Sequence, residues 1–68
     1  MKIDWAEGFE ILVRADARSV TLSANQEGLL SLSEQLSALA REDAGSHIHY
    51  DEFNALEEGS AELIIEKR

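Results

Sequence analysis

The sequence contains neither cysteine nor proline, has only four glycines, and sets six basic residues against 14 acidic ones in 68 positions. Without cysteine there is no disulfide framework and no thiolate zinc site to supplement a core. Without proline, glycine, asparagine and aspartate must punctuate the chain. Nowhere is there a run approaching the roughly 20 apolar residues that a membrane span requires. Met1-Lys2-Ile3-Asp4-Trp5 carries an acid where a secretory leader would hold a greasy stretch. These absences, with a cysteine-free composition that suits a reducing compartment, place the expected protein in the cytoplasm.

The shortage of bases leaves a formal charge of −8. Nucleic acid and anionic lipid both recruit basic surfaces, so neither is an expected partner. Disorder is disfavoured by the 44% of apolar residues, which fall in periodic order. An acidic folded domain is soluble and is drawn towards basic partners. The charge is not spread evenly: residues 1–24 sum to −1, residues 25–45 to −3 and residues 46–68 to −4, and Asp51 to Glu66 holds six acids and no base.

A chain of 68 residues is one domain, residues 1–68, and buries only about 60% of the surface its unfolded form exposes. Packing must supply the stability, and a homodimer is compatible with that need without being demanded by it. One expected dimer face combines Leu12, Ile64 and Trp5.

Hydrophobic periodicity changes along the chain. Phe9-Glu10-Ile11-Leu12-Val13-Arg14 is rich in strand formers, and Ser19-Val20-Thr21-Leu22-Ser23 alternates polar and apolar; with Ala15-Asp16-Ala17 between them they read as a hairpin. From Asn25 to about Asp43, Leu29, Leu32, Leu36 and Leu39 recur at spacings of three and four, one apolar stripe on a helix. Asn25 and Ser23 compete for its N-cap, and Gly45 stands where a left-handed terminator is expected. His47-Ile48-His49-Tyr50 alternates again, and Ala61-Glu62-Leu63-Ile64-Ile65-Glu66 reads as the last strand. Residues 1–8, in which Ile3 and Trp5 alternate, are placed as a short extra strand. Between the last two main strands, Phe53 and Leu56 look like apolar anchors of a long connection, and Glu58-Gly59-Ser60 like its turn.

The expected fold is therefore α+β, in the order β-β-α-β-β, an antiparallel sheet with one helix packed on one face. Ile11, Val13, Val20, Leu22, Ile48, Tyr50, Leu63 and Ile65 should face the helix. Leu12, Thr21, His49, Glu62 and Ile64 should face outwards.

Chemistry-bearing residue types gather in one place. On a strand, His47, His49 and Asp51 fall in one row about 7 Å apart, ligand types found in zinc and iron sites; the plainer reading is three polar side chains on a wet face. There is no glycine-rich phosphate loop, no cysteine nucleophile and no serine in a nucleophile elbow, and the domain is too small for a closed pocket, so catalysis and cofactors are not expected.

The same residues carry a resemblance. His47-Ile48-His49-Tyr50-Asp51-Glu52-Phe53-Asn54, then Leu56-Glu57-Glu58-Gly59-Ser60, then Glu62-Leu63-Ile64-Ile65-Glu66, resembles the immunity protein 32 family in its pattern His-x-His-x-Asp-x-aromatic-Asn, Leu-Glu-x-Gly-Ser and a strand of aliphatics. That resemblance implies a bacterial protein of polymorphic toxin systems, whose role is to neutralise a cognate toxin by forming a tight complex. The partner expected on charge grounds is a basic toxin domain. Expected contact residues are His47, His49, Tyr50, Asp51, Glu52, Phe53, Asn54, Glu57 and Glu58.

Overall fold

The computed structural model describes residues 1–68. Strands β1 (Ile11–Ala15) and β2 (Val20–Ala24) form a hairpin, helix α1 (Gln26–Leu39) follows, and β3 (His47–Tyr50) and β4 (Leu63–Glu66) close the chain. The α+β class and the β-β-α-β-β order are as the periodicity indicates. The four strands pair in two separate two-stranded antiparallel sheets, however, and not in one.

The division has a local cause. The edge of β1 that would receive a third strand is occupied by the connection leading into β4: Glu57 N–H donates to Ile11 O (2.9 Å), Ala61 N–H to Val13 O (2.8 Å), and Val13 N–H to Ser60 Oγ (3.1 Å). This irregular segment stitches the two sheets together through β1, and the turn at Glu58-Gly59-Ser60 that the sequence marks makes it possible, with Gly59 at φ +90°.

The hairpin turn is built by Asp16, whose Oδ1 accepts from the backbone N–H of Arg18 and of Ser19 at 2.8 Å each. Those two bonds stabilise the carboxylate and hold its pKa below the usual aspartate value. The carboxylate thus does the work of the missing glycine.

At the start of α1, Asn25 wins the competition for the N-cap. Its Oδ1 accepts from Gly28 N–H (2.9 Å) and Glu10 N–H (3.0 Å), while its Nδ2 donates to Gly8 O (2.9 Å). One side chain therefore caps the helix and ties it to the chain entering β1. Asn25→Ala is expected to cost about 1–3 kcal/mol, a cap plus two partly solvated hydrogen bonds, read as a lower urea midpoint at unchanged slope. Asn25→Asp, which keeps both acceptor bonds, should recover most of the loss.

Helix and hairpin approach closely because of Gly28, where an added Cβ would lie 2.8 Å from Glu10 O and 3.1 Å from Ala24 Cβ. The helix stops at Leu39, short of Asp43, and the Lys67 ammonium donates to the freed Ala40 carbonyl (2.7 Å). Gly45 is left-handed (φ +94°) but does not end the helix. Its N–H and the carbonyl of Ser46 both bond Lys67, two residues against one, so it makes a glycine β-bulge that opens β3.

Ile11, Val13, Leu32, Leu39, Ile48, Tyr50 and Leu56 form the core. The buried face of α1 is Gly28, Ser31, Leu32, Gln35 and Leu39, rotated from the expected leucine stripe: Leu29 and Leu36 stand exposed at its flank. The rotation follows from Gly28, which lets the backbone sink onto the hairpin, and from two polar side chains that meet the N-terminal segment. Ser31 Oγ accepts from Ala6 N–H (2.8 Å) and Gln35 Nε2 donates to Asp4 O (2.8 Å). Residues 1–8 form no strand, contrary to expectation; their backbone is held by helix side chains instead of by a ladder. Trp5 stacks on Phe9 (centroids 4.4 Å apart) and meets Tyr50 edge-on (6.0 Å), which places it at the core edge. Val20, expected inside, is 63% exposed because it lies at the turn end of β2, beyond the cover of the helix.

Candidate functional site

The site begins on β3, whose alternation is as the sequence indicates: Ile48 and Tyr50 point into the core, His47 and His49 out of it. Across the ladder, His49 stands opposite Ile64 and His47 opposite Glu66. The His49 imidazole Nε2 lies 3.1 Å from Glu62 Oε2 and 3.9 Å from Asp51 Oδ2. These are the molecule's two ion-pair contacts, so no lysine or arginine neutralises any acid at close range. No group of three or more His, Asp or Glu side chains converges as a metal centre would need. Two carboxylates share one imidazole, and His47 stands apart from them. The row His47, His49, Asp51 is therefore not assembled into a donor set.

The chain leaves β3 through a tight loop made by reciprocal side-chain capping. Asp51 Oδ1 accepts from Phe53 N–H (2.8 Å) and Asn54 N–H (3.1 Å); Asn54 Oδ1 accepts from Asp51 N–H (2.9 Å), and Asn54 Nδ2 donates to His49 O (2.8 Å). The Asp51 carbonyl accepts the N–H of Ala55 and of Leu56 (3.1 and 2.9 Å). Local Asp and Asn bonds of this kind are the standard means of fixing a non-helical turn. Farther along, Glu52 Oε2 accepts from Gly59 N–H (2.7 Å), closing residues 52–59 into a loop.

That construction decides where the two expected anchors go. Leu56 is buried in the core. Phe53 is 95% exposed, so it anchors nothing within the protein. Its ring shares a surface cleft with Glu52 and Glu58, and Glu57 is exposed beside them. The loop is thus a pedestal on which one aromatic ring stands among carboxylates.

A family model described as Immunity protein 32 matches residues 19–68, which run from the hairpin turn through β2, α1, β3, the pedestal loop and β4. The chain belongs to the immunity protein 32 family. No curated protein and no solved structure matches it. The matched span contains every residue of the loop and its supports on β3, whereas β1 and the N-terminal segment lie outside it.

Placed on this structure, the expected contact residues of the family member divide by role. Glu52, Phe53 and Glu58 line one exposed cleft with Glu57 exposed beside them, and His49, Asp51 and Glu62 form a second group through their short contacts with one another. Asp51 and Asn54 spend their polar atoms on the loop's own backbone and act as its braces. Tyr50 is 1% exposed and belongs to the core, where its hydroxyl donates to Gln35 Oε1 (2.7 Å). His47 borders a different feature, a broad depression of about 750 Å³ along the free edge of β3, walled by Met1, Ile3, Glu42 and Gly45. Sequence reasoning missed Glu62 as the closest partner of His49. The signal was available, since both were expected on the outward face and Glu62, two residues from the Ile64 that pairs with His49, is the diagonal neighbour of His49. No helix is long and apolar enough to cross a membrane.

Proposed function

We propose that this chain neutralises a bacterial toxin by binding it in the cytoplasm, without catalysis, through Phe53 and the carboxylates around it. The observation that carries this reading is an almost fully exposed phenylalanine on a hydrogen-bonded loop between Glu52 and Glu58. An aromatic ring in water contributes nothing to the stability of its own fold, and aromatic anchors concentrate binding energy at interfaces. The surrounding charge specifies the partner: an apolar recess rimmed by lysine or arginine. A toxin that acts on nucleic acid needs such a basic surface, and an acidic protein seated there would mimic the charge of its substrate. Family membership supports a toxin as the partner.

Steering by unneutralised carboxylates raises association rates well above the neutral range of about 10⁵–10⁶ M⁻¹s⁻¹ and makes them fall with added salt. The test is stopped-flow association with the cognate toxin domain. Glu57→Lys with Glu58→Lys reverses both charges on exposed, unpaired positions, so the fold should be unaffected. The expected result is an association rate at least about tenfold slower at low salt, with a flatter salt dependence. A native rate and native salt slope in the folded double variant would refute the electrostatic reading.

A further inference from the structure

Each strand edge that is not paired offers backbone N–H and C=O groups to another chain, and natural proteins guard such edges. Antiparallel partners alternate between residues that exchange backbone bonds and residues whose polar groups point away. In the first sheet the phase is set by Asn25 N–H on Glu10 O and by Asp16 N–H on Ser19 O. Thr21 and Ser23 therefore bond β1, whereas Val20, Leu22 and Ala24 direct their backbone groups outwards. On β4 the outward positions are Glu62, Ile64 and Glu66, so charge guards that edge. On β3 they are His47 and His49, and Asn54 Nδ2 already caps the His49 carbonyl. The far edge of β1 is occupied by residues 57–61. Only β2 is neither capped nor charged: Ser19 to Asn25 holds no ionisable side chain in a chain of net charge −8.

We propose that a second copy of this chain pairs there, β2 against β2 about a two-fold axis, joining the two hairpins into one four-stranded antiparallel sheet. Like-charged copies repel least where neither presents an acid, so the edge without charge is the one that identical molecules can share. The geometry also accounts for the exposure of Val20. Centred on Leu22, the pairing sets Val20 of one copy opposite Ala24 of the other and covers it. A two-fold axis normal to the sheet keeps both α1 helices on one face. On α1, Leu29 and Leu36, 53% and 43% exposed, lie on the flank away from Ser31, whose hydroxyl meets the N-terminal segment. With ten of 68 residues buried, the protomer has a small core for which such a contact is a substantial addition. The contact is independent of the Phe53 loop.

Sedimentation of the full chain from low to high micromolar concentration tests the proposal. The expected result is a species of twice 7.5 kDa. Val20→Lys, at an exposed position, should raise the dimer dissociation constant at least about tenfold while leaving far-UV circular dichroism unchanged. Amide hydrogen exchange of the native protein is the second reading, since Val20, Leu22 and Ala24 have no partner within the protomer and should be protected only in the dimer. A native chain that stays monomeric throughout, a dimer indifferent to Val20→Lys, or free exchange at those three amides in the dimer overturns it. Pairing of β2 with a strand of the toxin alone, and never with its own copy, would overturn it equally.

Discussion

Phe53→Ala should weaken toxin binding at least about 30-fold while leaving the protein as stable as before. Transferring a phenylalanine side chain from water into an apolar recess contributes about 1.5–3 kcal/mol, and truncating an interface hot spot costs 2 kcal/mol or more, which is a factor of about 30 in affinity. Stability is a separate matter. Being 95% exposed, the ring loses almost no contact when removed, so the unfolding free energy should move by less than about 0.5 kcal/mol. The pair of outcomes is diagnostic because a residue that supported the fold would shift both quantities. Titration calorimetry with the toxin domain and urea unfolding of the free variant measure the two, and native affinity in the alanine variant would remove Phe53 from the interface.

The loss should fall in the dissociation rate, in contrast to the Glu57 and Glu58 reversals, which act on approach. The loop is braced before any partner arrives. Asp51 and Asn54 fix its backbone by four side-chain bonds, and Glu52 closes it on Gly59. A loop backbone fixed beforehand surrenders little entropy on binding.

How far the sequence discloses this arrangement depends on the kind of interaction involved. Periodicity places the helix, the four strands and the outward face of His47 and His49, because burial of one face is what a period of 2 or 3.6 records. The division into two sheets is invisible to it, since that rests on bonds from residues 57–61 to β1, made by backbone atoms and the Ser60 hydroxyl, which leave no hydrophobic period. The buried helix face is turned from the leucine stripe because Gly28, Ser31 and Gln35 pack through closeness and hydrogen bonds, which a hydrophobicity pattern counts as polar. Phe53 is the instructive misreading. An aromatic residue in a loop looks like an anchor, and it is one only if the loop turns inwards; here Asp51 and Asn54 turn it outwards. Their spacing, three residues apart, was legible as a turn, but its direction depends on His49 O, a backbone atom five residues from Asn54.

The same β3 strand supplies the largest expected effect on stability. Tyr50 is 1% exposed, its hydroxyl donates to Gln35 Oε1, and Gln35 Nε2 donates in turn to Asp4 O. This relay fastens strand, helix and N-terminal segment together beneath the exposed histidines. Tyr50→Phe keeps the ring but strands the Gln35 oxygen in the core, a cost of about 1–3 kcal/mol, or about 4–8 °C in Tm for each kcal/mol in a domain of this size. Tyr50→Ala removes the ring as well, at about 3–5 kcal/mol. At about 0.05–0.15 kcal/mol per residue the whole domain has only about 3–10 kcal/mol to lose, so the alanine variant should be largely unfolded at 37 °C. Alkali distinguishes the two parts of the relay. Burial raises the Tyr50 hydroxyl pKa above the ordinary phenol value of about 10, so the folded chain holds that proton more tightly than the unfolded one. The stability this contributes is complete below about pH 10 and is lost as pH climbs through the raised value. In Tyr50→Phe that alkaline loss disappears, so the two unfolding curves should converge above pH 10; a constant gap between them would show that the hydroxyl contributes packing alone.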